Sequence, residues 1–118
     1  MTTKILDSAI VQKRLTEELP EWQAPGDNPC IQRTFSTSGW KSSMLVANAI
    51  GYLAEAGWHH PEIVIEYGSV RINLTTHSEG GVTEKDLVLA KKIEDLICFQ
   101  HDDGVLQAPP EKYAVLKD

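Results

Sequence analysis

The chain has 118 residues, 42% of them hydrophobic and 24% charged; that is enough to bury roughly two-thirds of its unfolded surface around one core, and too ordinary for a disordered, collagenous or repeat protein. Its net charge is −6, with eleven Lys and Arg scattered so that the densest groups are Lys13-Arg14 and Lys91-Lys92, which excludes the basic face that direct nucleic-acid binding requires. No apolar run approaches the ~18 residues of a membrane span, and the opening MTTKILDSAIVQ lacks the parts of a secretory signal, so a cytoplasmic protein without membrane contact is expected.

Residues 4 to 19 carry an imperfect helical stripe through Leu6, Ala9, Ile10, Leu15 and Leu19, ended by Pro20 because the residue before a proline avoids the helical conformation. Residues 22 to 24 are predicted as a strand paired with residues 31 to 35 across the turn signal Pro25-Gly26-Asp27-Asn28-Pro29. Ser36-Thr37-Ser38-Gly39 offers capping chemistry to a helix over residues 40 to 56, with Gly57 as its stop. That helix is apolar on more than one side: Met44, Ala47 and Ile50 share one, while Leu45, Ala49, Leu53 and Ala56 spread around it. Burial of the second side in a subunit interface is expected.

Residues 63 to 67 and 70 to 76 read as two strands joined by Gly68-Ser69. In the second, Ile72, Leu74 and Thr76 share one face and Arg71, Asn73, Thr75 and His77 the other, predicting a sheet covered on one side. After the Gly80-Gly81 loop, Thr83-Glu84-Lys85-Asp86 has the form of a capping box and opens a helix to about residue 100. The resulting order is α-β-β-α-β-β-α: an α+β fold with a four-stranded, mainly antiparallel sheet and three helices on one face. Residues 1 to 101 form the domain and residues 102 to 118 a tail without periodicity. Cys30 and Cys98 belong to no C-x-x-C motif and read as partly buried thiols with no metal or redox role.

The stretch EAGWHHPEIVIEYGSVRINLTTH holds three of the four histidines, His59, His60 and His77. Neighbouring residues of an extended chain point oppositely, and no i,i+4 histidine spacing is present, so no metal site is expected. Ser69 and Ser78 lack a nucleophile elbow. General acid–base chemistry suits imidazoles, which titrate near neutral pH; the plain alternative is three surface histidines.

Glu55, His59-His60-Pro61, Tyr67, His77 and Asp86 at this spacing, with LPEW after the first helix, VRINLTTH before a glycine loop and VTEKDLVLAKKIE as the last helix, resemble the signature of the pterin-4a-carbinolamine dehydratase family over roughly residues 4 to 100. The resemblance implies the same element order and a lyase that dehydrates 4a-hydroxytetrahydropterin to quinonoid dihydropterin, supporting recycling of tetrahydrobiopterin, with a pterin substrate and neither metal nor organic cofactor. It implies that His59, His60 and His77 are catalytic, His59 and His77 flanking the reacting carbon as acid and base while His60 assists or binds the hydroxyl. Glu55, Trp58, Thr75, Thr76 and Ser78 are then candidate substrate-binding residues; Trp58 departs from the polar residue of mammalian members. Tyr67 is read as packing and Asp86 as a helix cap. The competing expectation is a non-catalytic module, since dehydratase-like proteins also serve as transcriptional dimerisation cofactors or in Rubisco assembly, although the assembly-type relatives lack the histidine pair.

Overall fold

The computed structural model describes residues 4–26, 29–99 and 104–117. Its elements in chain order are α1 (Ser8–Glu18), β1 (Ile31–Ser36), α2 (Trp40–Gly57), β2 (Glu62–Glu66), β3 (Ser69–Leu74), α3 (Glu84–Ile97) and a short 3-10 turn, Glu111–Tyr113. β3 is central and antiparallel to both neighbours, with Phe35 opposite Val70, Ile31 opposite Leu74 and Ile63 opposite Ile72. The expected alternation holds: Val70, Ile72 and Leu74 are fully buried, whereas Arg71 and Asn73 are half-buried. Val11 and Leu15 of α1, Val46 and Ile50 of α2, and Leu87, Ala90 and Ile93 of α3 join those strand residues in one core. The face carrying Arg71, Asn73, Thr75 and His77 lies opposite that core.

Four sequence expectations about strands and helix starts need correction. The sheet has three strands among the described residues, because residues 22 to 24 contribute only one bridge, Gln23 to Gln32. The next position on the same edge that could bond to β1 is Pro25, which has no N–H to give. α1 starts at Ser8, since the Asp7 carboxylate caps it by accepting from the Ala9 amide, while Leu6 N–H reaches away to the Val82 carbonyl at 2.8 Å. No side chain caps α2: Ser43 Oγ instead meets Thr37 Oγ1 at 2.6 Å and the Tyr67 carbonyl at 3.1 Å, tying the helix start to the β2–β3 turn. That turn consists of Tyr67-Gly68, one residue earlier than expected, because Ser69 is drawn into the central strand opposite both Glu66 and Ser36.

The described part of the tail folds back on its own chain. Leu116 bridges Thr37 and packs against the core, and the Lys117 amide donates to the Ser36 carbonyl at 2.9 Å. With the Gln23 bridge at the other end, this shields the outer edge of β1, which would otherwise offer unpaired backbone groups to other chains. None of the described helices is long and apolar enough to cross a membrane.

A polar cluster is set into the helix-covered side. Glu94 of α3 accepts from Arg33 Nε at 2.9 Å and from the Trp22 indole N–H at 2.8 Å, with the Arg33 and Glu94 side chains only 15% and 20% exposed. Burial opposes ionisation of Glu94, but the hydrogen bonds from Arg33 and Trp22 outweigh it and hold the carboxyl below its usual 4.5. A depressed carboxyl pKa adds stability above the unfolded value, which is lost as pH falls from about 4.5 through the folded value. Glu94→Ala is therefore expected to cost about 2–3 kcal/mol at pH 7, by urea denaturation, with the gap to wild type narrowing below pH 4.5.

Candidate active site

α2 closes on a residue in the left-handed region. Trp58 has φ 52° and ψ 47°, and its amide donates to the Ala54 and Glu55 carbonyls. Gly57 remains helical, so the expected glycine stop is replaced by a tryptophan in a conformation that costs a non-glycine residue roughly 1 kcal/mol. The reversal, followed by Pro61, sends His59 and His60 out of the helix end in a defined direction, and backbone strain of this kind clusters at functional sites.

His59 turns toward the protein. Its Nε2 lies 2.6 Å from Oδ1 of Asp86, with the histidine side chain 14% exposed and the aspartate fully buried. The other oxygen of Asp86, Oδ2, accepts from the Thr83 amide at 2.9 Å and from Thr76 Oγ1 at 2.8 Å, while the Thr83 side chain accepts from the Lys85 amide. The expected capping box is thus present, and one of its carboxylate oxygens also grips an imidazole. With a carboxylate on Nε2, that nitrogen is the one that keeps a proton, leaving Nδ1 as the nitrogen able to exchange one.

His60 points the other way, as alternation on an extended chain requires. It is exposed, with Nε2 2.9 Å from Glu55 Oε1 and its ring edge-on to Trp58 at 5.0 Å between centroids. His77 is exposed at the start of a tight turn: the Thr76 carbonyl accepts from the Glu79 and Gly80 amides, and the His77 carbonyl accepts from Gly80. Gly80 adopts φ 78°, which fixes the need for glycine there.

His77 lines a cleft of about 500 Å3 on the sheet face opposite the core, together with Cys30, Gln32, Glu62, Arg71, Asn73 and Thr75. His59 and His60 are not among its lining residues. Burial, followed by the carboxylates of Glu62 and Asp86, pushes the Cys30 thiol up, which keeps it protonated at neutral pH.

The other candidates separate. Thr75 lines the cleft but donates its hydroxyl to the Pro29 carbonyl at 2.5 Å. Thr76 is 3% exposed and committed to Asp86 and Thr83, which puts it behind His59. Ser78 is exposed in the turn after His77, and Tyr67 is exposed at the β2–β3 turn. Among the described residues no three His, Cys, Asp or Glu side chains converge as a metal ion requires. The contact between His59 and Asp86 spans 27 residues of sequence; its only local signal is an aspartate in the third position of a capping box, with an oxygen to spare.

The family model described as pterin 4 alpha carbinolamine dehydratase matches residues 4–96. A protein of Aquifex aeolicus named "Putative pterin-4-alpha-carbinolamine dehydratase" is 47% identical over 85 residues, covering 72% of this chain and 84% of its own length. One of the same name from Thermomicrobium roseum is 40% identical over 91 residues, covering 77% and 95%. Among solved structures, the transcriptional coactivator/pterin dehydratase of Brucella melitensis superposes with a TM-score of 0.72 at 29% identity, over 79% of this chain and 98% of that one. A pterin dehydratase-like RuBisCO assembly factor of the alpha-carboxysome shares the fold, with a TM-score of 0.54 at 22% identity over 64% and 88%. By the extent of these matches the chain belongs to the pterin-4-alpha-carbinolamine dehydratase family.

Proposed function

We propose that the protein is an enzyme that dehydrates 4a-hydroxytetrahydropterin, and the observation that carries this reading is the clamp of buried Asp86 on His59. In the reaction the C4a–O bond breaks as the N5 lone pair closes a C4a=N5 double bond. The hydroxyl leaves as water once protonated, and the proton on N5 passes to a base. One imidazole must give a proton and another take one, which needs no metal or organic cofactor. His59, its orientation and tautomer held by Asp86, and His77, exposed in the cleft, are the pair we assign to these two transfers. His60, hydrogen-bonded to Glu55 and flanked by Trp58, is assigned to the departing hydroxyl, and Thr75 and Ser78 to the pterin ring; Thr76 positions Asp86. The substrate and product suit recycling of tetrahydrobiopterin in the cytoplasm.

The test is stopped-flow dehydration of a 4a-hydroxytetrahydropterin in the presence of a chelator, where full acceleration is expected. Activity lost to the chelator and restored by zinc would remove the metal-free mechanism.

The alternative, a non-catalytic binding or assembly factor, draws on the coactivator half of the Brucella protein's name and on an exposed apolar row along α2: Leu45 is 50% and Tyr52 72% exposed, with Ala49 between them half-buried. We assign that row to self-association into a homodimer or homotetramer, which an enzyme of this family accommodates equally. Sedimentation at micromolar concentration is expected to give an oligomer that Leu45→Glu with Tyr52→Glu converts to monomer; a wild-type monomer would show α2 to be satisfied within one chain.

A further inference from the structure

We propose that the open face of the sheet recognises the substrate's side chain through Arg71, so that the pterins bound best carry an oxyanion, carboxylate or phosphate, at the end of the C6 substituent; the inference rests on the assignment of His59 and His77 to the pterin ring.

The chain has three arginines. Arg14 is bonded to Glu18 and to both oxygens of Glu84, and Arg33 to Glu94. Arg71 alone makes no hydrogen bond or ion pair to any described residue, and its Nε is buried without an acceptor. A guanidinium nitrogen withdrawn from water and left unsatisfied is destabilising, and it is a feature that a ligand can repay. The residues directly across the sheet, Thr34 on β1 and Val64 on β2, carry no charge. The nearby acid, Glu62, is held elsewhere: its Oε1 accepts from Asn73 Nδ2 at 2.7 Å, and Asn73 Oδ1 accepts from Gln32 Nε2 at 2.7 Å.

Arg71 and His77 line the same cleft. Six residues of extended chain separate them, at most roughly 20 Å between Cα atoms, and both side chains shorten that gap. A ring seated at His77 would send its substituent along β3 toward Arg71, where an anionic end completes the planar fork with paired, charge-assisted hydrogen bonds. A short neutral side chain leaves the fork as it is now.

The test measures equilibrium binding of three probes to the full chain: 7,8-dihydrobiopterin, whose side chain is neutral, 7,8-dihydrofolate, whose arm ends in carboxylates, and 7,8-dihydroneopterin monophosphate. At least one anionic probe is expected to bind wild type more tightly than dihydrobiopterin, and comparison of the two anionic arms tells carboxylate from phosphate. Arg71→Gln should weaken the preferred anionic probe about 10–100-fold, Arg71→Lys should recover part of the loss, and dihydrobiopterin should bind all three proteins alike. Glu62→Gln, removing a like charge from the cleft, should tighten the anionic probe. Equal affinity of wild type for neutral and anionic probes, or an Arg71→Gln loss shared equally by all three in a protein that circular dichroism shows folded, overturns the role of Arg71 while leaving the pterin site standing. Failure of all three probes to bind removes the pterin reading and this inference with it.

Discussion

Asp86→Asn should yield a folded protein that dehydrates 4a-hydroxytetrahydropterin about 10²–10⁴-fold more slowly than wild type, a loss carried by kcat. The amide oxygen of asparagine can take over from Oδ2, accepting from Thr83 N–H and Thr76 Oγ1, so the start of α3 stays capped. The amide NH2 then faces His59 Nε2, which must become an acceptor, and the proton of the neutral ring moves to Nδ1. The working nitrogen thus presents a hydrogen where it presented a lone pair. Asp86→Ala differs in kind: it leaves the Thr83 amide unsatisfied beside a new cavity and Thr76 Oγ1 with Thr83 Oγ1 as its partner, and should cost about 3–5 kcal/mol of stability. Urea denaturation separates the two variants, and 15N chemical shifts of the imidazole report the tautomer. Near-native turnover in a folded Asp86→Asn protein would show that His59 handles no proton in the reaction.

The histidines divide by what surrounds them. His77 is exposed and its side chain has no hydrogen-bonding partner among the described residues, so His77→Ala should change stability by less than about 0.5 kcal/mol while lowering turnover about 10²–10⁴-fold. His59→Ala should lower turnover over the same range, but it also strands the buried carboxylate of Asp86 and destabilises the fold, so its rate is interpretable only below the variant's unfolding transition. His60→Ala should act mainly on KM. The double variant of His59 and His77 should fall well short of the product of the single losses, because loss of either transfer already disables the concerted step. Steady-state kinetics on folded proteins decide it: if His77→Ala keeps a native rate, the binding-factor reading becomes the better account.

Elements whose evidence lies within a few residues could be read directly. The capping box of Thr83 and Asp86, the two faces of β3 and the two-sided pattern of α2 all follow from spacings shorter than two helical turns. Misreadings arose where distant backbone groups competed for the same partners. Trp22 and Gln23 look like a strand until Pro25, at the next hydrogen-bonding position, offers no N–H; Ser69 looks like a turn residue until β1 arrives to pair with it. The same limit applied to the site. His59, His60 and His77 stood out by residue type, and Asp86 by its place in the family signature, but the grip of Asp86 on His59 depends on α3 docking beside the end of α2. Arg71 looked like one more outward residue of an alternating strand, since an arginine's lack of a partner is a property of the whole surface around it.

The carboxylate shared between the capping box and His59 makes the first turn of α3 and the imidazole one thermodynamic unit. A ligand that steadies His59 in its clamped position steadies the amides of that turn by the same free energy, and anything that frays the turn loosens the imidazole equally. Amide hydrogen exchange at Asp86 and Leu87, whose N–H groups reach back to the Thr83 carbonyl, therefore becomes an internal gauge of occupancy at a site they never touch. It also sets a constraint on drift: substitutions that erode the start of this helix are selected against twice, once for folding and once for proton transfer.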